Sequence, residues 1–160
     1  MNSFPLYVSL AMLMLLGMVQ ATLQFPVLVA NQYANLVNPM QLCHEALLRY
    51  ADATYPNGTP VVTGPVAQAS VDAFLPPGGV DPGGFSFLIT SPGTVTTYIS
   101  LPPAGMQIAA TQLQKLTGYT VAAGPVIAGQ IVPHLPTPPV MVATGVPNGA
   151  IAVQSIVRDN

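Results

Sequence analysis

The sequence predicts an α+β protein in which an N-terminal membrane helix and an amphipathic helical spine precede a small, mostly antiparallel sheet with one short helix packed on it. Three observations predict this order: an uncharged apolar stretch at 4–22, apolar residues at helical spacing within 39–54, and later runs of β-branched and aromatic residues between Gly and Pro. They divide the 160 residues into a hydrophobic segment at 1–25, a helical spine at 26–55 and a head domain at 56–160.

The apolar stretch 4–22 has the length of a membrane span. As a helix its 19 residues would extend roughly 28 Å, close to the thickness of a hydrocarbon core. This length, with Pro5 in the first turn, favours a retained signal anchor. Small residues at Val19 and Ala21 favour a cleaved secretory signal, although no Lys or Arg precedes them. The first interpretation predicts a single-pass inner-membrane protein with its head in the periplasm, and the second predicts a secreted chain.

The composition excludes one class of partner and suggests another. Charged residues make up only 5% of the chain and hydrophobic residues 51%. The net charge of −2, with no basic run, argues against nucleic-acid binding, which needs Lys and Arg at the phosphates. A domain this poor in charge is expected to be neutral at its surface or covered by partners. Cys43 is the single cysteine and is predicted to be a small buried hydrophobe.

The helical spine carries the clearest amphipathic pattern of the chain. Pro26 predicts a kink after the apolar stretch, and Asn38 followed by Pro39 predicts the start of a new helix over 39–54. The residues predicted to face the core are Met40, Cys43, Leu47, Tyr50 and Ala51. The residues predicted to face away are Gln41, Glu45, Arg49 and Asp52, with Glu45 and Arg49 as an i,i+4 ion pair.

The head domain is predicted to be a sheet with one helix. Residues 85–90 and 94–100 form a β-hairpin around Ser91-Pro92-Gly93. A helix follows at 106–116. Further strands are predicted at 119–122, 126–132, 140–144 and 150–157, with an extended Pro-rich spacer at 133–139.

Cys43, His44 and Glu45 are the only cluster that suggests metal or nucleophile chemistry. Neighbouring helical residues point about 100° apart, so the three side chains cannot bind one ion. His44-Glu45 also lacks the second histidine of an H-E-x-x-H zinc motif. The sequence therefore predicts no catalytic, cofactor-binding or metal-binding residue, no cofactor and no enzymatic activity.

Several short motifs resemble a known family. They are ALLRYADATYPNGTPVVTGPV at 46–66, FLPPGG at 74–79, TVTTYISLPPAG at 94–105, LQKLTGYTVAAG at 113–124 and GQIV at 129–132. In order and content they resemble the PilM family of type IV (thin) pilus systems on conjugative plasmids. The lack of Trp and the Pro-rich tail depart from that family. The resemblance implies a small protein with one N-terminal hydrophobic segment, a compact exported domain and a part in pilus biogenesis, without catalytic residues.

Composition and resemblance together predict a non-enzymatic, membrane-anchored structural component of a type IV pilus biogenesis or related export machine. Its exported head would dock to pilin-like subunits through strand edges and a neutral surface. The expected partners are membrane lipid along 4–22, pilins or other pilus assembly proteins, and further copies of the chain, with no nucleic acid. The alternative is a cleaved, secreted structural subunit of a filament or coat, whose low charge would reflect burial against identical copies.

Overall fold

The computed structural model divides the chain into two compact units, Met1–Gln32 and Tyr33–Asn160, and the helices and strands named below belong to the second. The residues that the structure describes are 12–15, 31–55, 63–90, 93–117, 122–133 and 138–157.

The predicted N-terminal membrane helix is wrong. Across the described residues, no helix has both the length and the apolar composition to cross a membrane. The prediction rested on the length and apolar composition of 4–22, with Pro5 in the first turn. A span needs about 20 consecutive apolar helical residues, a condition that no described helix meets. Of that stretch the structure describes only residues 12–15, which are helical. The rest of the stretch and the predicted kink at Pro26 lie outside the described residues.

Helix α1, Val37–Thr54, confirms the predicted amphipathic helix and begins two residues earlier than expected. Pro39 lies in its first turn, where a missing N–H removes no helical hydrogen bond. The helix ends at Tyr55, whose N–H donates to the Ala51 carbonyl at 2.8 Å. Its buried residues are Val37, Met40, Cys43, His44, Ala46, Leu47 and Ala51.

Two further helices follow. Helix α2, Gln68–Asp72, is a single short turn of five residues. Helix α3, Pro103–Leu116, starts three residues before its predicted start at Met106, because Pro103 occupies the first helical position, where proline is well suited. Its C-terminal end is closed by the N–H of Thr117, which donates to the Leu113 carbonyl at 2.9 Å.

The predicted antiparallel sheet is confirmed, and over the described residues it has seven strands in the order β1-β2-β3-β7-β4-β5-β6. All of its pairings are antiparallel. The strands are β1 Gly64–Val66, β2 Ser86–Thr90, β3 Thr94–Ser100, β4 Ala122–Ile127, β5 Gln130–Ile131, β6 Val140–Met141 and β7 Ala150–Ile156. The predicted hairpin of β2 and β3 has Thr90 opposite Thr94. The last strand, β7, lies between β3 and β4, and its pairing with β3 extends over seven residues.

The strand predicted at 126–132 is instead a tight hairpin. Ala128 and Gly129 have φ angles of +51° and +75°. Two successive residues of positive φ form the two-residue turn that joins antiparallel strands with the correct twist. The chain therefore reverses between β4 and β5 where the apolar composition suggested one continuous strand.

The main core lies between one face of the sheet and the helices α1 and α3. The sheet contributes Phe87, Val95 and Val153 to this core, at positions that alternate along the strands with residues of the opposite face. The helices contribute Leu47 from α1 and Leu113 from α3, both fully buried. Two helices therefore pack on the sheet, where the sequence predicted one short helix.

The opposite face of the sheet is covered in part by the chain around β6. Gln154 on β7 holds this segment, because its Nε2 donates to the Met141 carbonyl at 3.1 Å and its Oε1 accepts the Ala143 N–H at 3.1 Å. Oε1 also accepts the Thr96 hydroxyl at 3.3 Å. One side-chain amide thus pairs with the outer edge of β6 in the way that the peptide group of a neighbouring strand would.

The substitution Gln154→Glu is expected to lower the free energy of unfolding by about 1–3 kcal/mol, because it replaces a buried donor by a second acceptor facing the Met141 carbonyl. Urea denaturation measures the loss, and hydrogen exchange should show faster exchange of the Ala143 amide. Gln107→Glu, on the exposed surface of α3, is the matched control and should leave both unchanged. Equal stability of the two variants would contradict this function of Gln154.

Gly124→Ala is expected to destabilise the sheet by about 1–3 kcal/mol through overpacking. A Cβ atom at Gly124 would lie 2.7 Å from the backbone carbonyl oxygen of Val132. That oxygen belongs to the main chain, so β4 and the chain after β5 would have to separate. Thermal or urea unfolding measures the effect, and a variant as stable as the parent protein would show that the two chains are not closely fixed there.

Candidate functional site

A row of three polar side chains joins α1 to the sheet, and two of them, His44 and Thr97, are buried while Ser155 is half-buried. Nδ1 of His44 lies 3.1 Å from the Thr97 hydroxyl, and Nε2 of His44 lies 2.8 Å from the Ser155 hydroxyl. The three residues come from α1, β3 and β7, so the row crosses two structural layers. Among the described residues, this arrangement of a titratable group and two hydroxyls most resembles a catalytic site.

Local structure positions each member of the row. His44 follows Met40 by four residues and precedes Leu47 by three, which places it on the core-facing side of α1. In the register of β3 and β7, Thr97 lies opposite Val153 and the preceding same-face residue Val95 lies opposite Ser155. Thr97 and Ser155 are therefore diagonal neighbours on the sheet face that α1 covers.

The imidazole of His44 is neutral at physiological pH. Its side chain is only 5% exposed, and burial lowers its pKa from 6.5 to about 4. A neutral imidazole has one N–H donor and one acceptor nitrogen, and each hydroxyl can donate or accept. Both ring nitrogens are consequently satisfied in either tautomer, which removes the cost of burying them.

A nucleophile and a base would show the same Ser–His distance, but the surroundings do not support catalysis. A general base works best with a pKa near the operating pH, whereas the pKa of His44 is about 4. The group on the far side of the ring is the neutral hydroxyl of Thr97, which cannot stabilise an imidazolium as a carboxylate does. The arrangement fits a structural polar bridge better than an active site.

The two neighbours of His44 in the sequence, Cys43 and Glu45, take no part in this row. Cys43 is fully buried, as predicted, and burial together with the nearby charge of Asp81 raises the pKa of its thiol to about 12. It is therefore a protonated, unreactive thiol. Glu45 faces solvent and pairs with Arg49 at 3.9 Å, which confirms the predicted ion pair. Within the described ranges, no three His, Cys, Asp or Glu side chains are grouped to hold a metal ion.

The row was not predicted from the sequence. The helical spacing of His44 from Met40 and Leu47 indicates that it is buried, yet His44 was not among the residues predicted to face the core. No signal in the sequence pointed to Thr97 and Ser155, which lie 53 and 111 residues from His44 along the chain.

Fold and site define the second unit as an antiparallel α+β domain whose helices pack on one sheet face, with α1 linked to that face by a buried histidine. In comparisons with protein-family models, curated proteins and solved structures, the chain matches none of them.

Proposed function

We propose that the chain is a non-enzymatic structural component of a type IV pilus biogenesis or related export assembly, and that the unit Tyr33–Asn160 docks to pilin-like subunits. The observation that carries the proposal is a surface poor in charge that exposes large apolar side chains. Met141 is 67% exposed and Ile127 is 55% exposed, at the end of the sheet formed by β4, β5 and β6. The proposal includes no membrane anchor.

The composition of this surface suits a protein interface. Interface cores are depleted in charged residues and enriched in Met and aromatic side chains. With 5% charged residues, the chain has few groups whose desolvation would oppose docking. The motif order that resembles the PilM family supplies the kind of partner, a pilin or a pilus assembly protein.

Side chains suit this docking better than strand edges. β1 contains Pro65, which has no N–H to offer an incoming strand. At β6, the Met141 carbonyl and the Ala143 N–H are already bonded to Gln154. The proposal therefore relies on apolar side-chain contact and not on the addition of a strand to the sheet.

Direct binding tests the proposal. The full chain is immobilised, and each purified pilin or assembly protein of a type IV pilus system from the same organism is passed over it. We expect saturable binding to at least one of them, weakened at least 10-fold by Met141→Lys. Thr144→Lys adds the same charge at an exposed polar position nearby and should bind as the parent does. Folded protein that binds none of these components contradicts the proposal.

The second candidate is a cleaved, secreted structural subunit of a filament or coat. It is favoured by the small residues Val19 and Ala21 at the positions that a signal peptidase reads. N-terminal sequencing of the mature protein separates the candidates. A start at Thr22, with filaments of the purified chain in electron micrographs, supports the subunit.

A further inference from the structure

A groove between α3 and the hairpin of β4 and β5 has no charged residue in its lining. Its volume is about 310 Å³, and it lies within the unit Tyr33–Asn160. Since a cavity of about 150 Å³ accommodates a benzene-sized group, the groove has room for roughly two large apolar side chains. Its lining includes Met106, Gln107, Thr111, Pro125, Ile127 and Val132.

The same chain carries an apolar helical segment that is uncovered. Residues 12–15 are helical, and each of their side chains, Met-Leu-Met-Leu, is at least 65% exposed. Four consecutive helical positions point in four directions about 100° apart, so apolar side chains are open on every side of this turn. A helix that is apolar all round is normally buried.

We propose that the groove binds residues 12–15 of a second copy of the chain, with Met12 and Leu15 as the two anchors. Residues three apart share one helix face, which is the spacing with which apolar helices occupy grooves. Two anchors match the volume of the groove. The stretch 4–22 and the groove lining are both uncharged, so docking leaves no charge buried without a partner. This inference does not depend on the pilus proposal.

The contact joins two different surfaces, the helical segment of one copy and the groove of the next. Two copies that exchange the segment reciprocally close into a symmetric dimer, whereas one-way contacts generate rings or filaments. In either case the full chain should associate in a concentration-dependent way.

Disulfide trapping between copies tests the geometry. One full-length copy carries Leu15→Cys and a second carries Gln107→Cys in the groove, while the buried Cys43 stays in both. After oxidation of the mixture, we expect a disulfide between the two copies, identified by mass spectrometry. Lys115→Cys, exposed on α3 and outside the groove lining, replaces Gln107→Cys as the control and should give less than one tenth of the product.

Sedimentation of matched variants tests the energetics. Ile127→Lys at the groove should weaken association at least 10-fold. Ile156→Lys changes the same residue type at 66% exposure on β7, outside the groove lining, and should change association less than 2-fold. Circular dichroism confirms that both variants fold.

Four results would overturn the proposal: no trapped product, equal effects of the two lysine variants, a purified chain that begins after Leu15, or capture within one molecule. For the last, Leu15→Cys and Gln107→Cys are placed on one copy. A disulfide within that copy that persists unchanged on dilution would show that the groove binds the segment of its own chain.

Discussion

Lowering the pH from 6.5 to 4 is expected to reduce the free energy of unfolding by about 3 kcal/mol through His44 alone. The pKa of His44 is 6.5 in an ordinary environment and about 4 in the fold, because burial disfavours the charged ring. Between these values the unfolded chain binds more protons than the folded chain. The contribution of neutral His44 to the free energy of unfolding is therefore full above about pH 6.5. It declines as the pH falls and is lost below about pH 4. Urea denaturation at a series of pH values measures the slope.

Two glutamine variants isolate this contribution. His44→Gln keeps a donor and an acceptor but does not titrate, so its stability should depend less on pH between 6.5 and 4 than that of the parent. His134→Gln removes the other histidine of the sequence and should retain the slope of the parent. The Asp and Glu residues are common to all three proteins and cancel in the comparison. Identical slopes for the parent and His44→Gln would show that folding does not change the pKa of His44.

The position of His44 gives this acid sensitivity a structural consequence. The ring links α1 to both β3 and β7 through the hydroxyls of Thr97 and Ser155. Protonation makes both ring nitrogens donors, and the charge lies in a site with no carboxylate among its two hydrogen-bonding partners. Acid should therefore weaken the contact between α1 and the sheet, and with it the buried core that the two elements share.

The elements predicted correctly from the sequence are those whose signals are local. Met40, Cys43 and Leu47 at helical spacing identify α1, and the β-branched runs on either side of Ser91-Pro92-Gly93 identify the β2–β3 hairpin. Each signal depends on neighbours within a few residues, so it predicts the local structure without knowledge of the tertiary arrangement. The start of α3 was predicted three residues too late, at Met106, although proline is well suited to the first helical position that Pro103 occupies.

The elements that were missed depend on contacts between distant residues. Strand β7 lies between β3 and β4, which are themselves separated along the chain by α3. No local sequence pattern encodes this strand order. The row of His44, Thr97 and Ser155 exists only because of that order. The membrane helix was predicted from the length and apolar composition of 4–22, and neither property specifies what covers an apolar stretch.

Leu47→Ala is expected to cost about 2–5 kcal/mol and to lower the stability of the whole second unit, since Leu47 is fully buried between α1 and the sheet. Leu42→Ala on the same helix is the matched control. Its side chain is 36% exposed, so the loss should stay below about 1 kcal/mol. Urea denaturation followed both by far-ultraviolet circular dichroism and by tyrosine fluorescence measures the two variants.

If α1 and the sheet form one cooperative core, the two probes will report a single, coincident transition for Leu47→Ala, shifted to lower urea. If α1 were an independent spine, the helix signal would be lost first and the sheet would unfold at the concentration of the parent protein. The structure favours the coincident transition, because Leu47, Val95 and Val153 belong to one buried cluster drawn from helix and sheet alike.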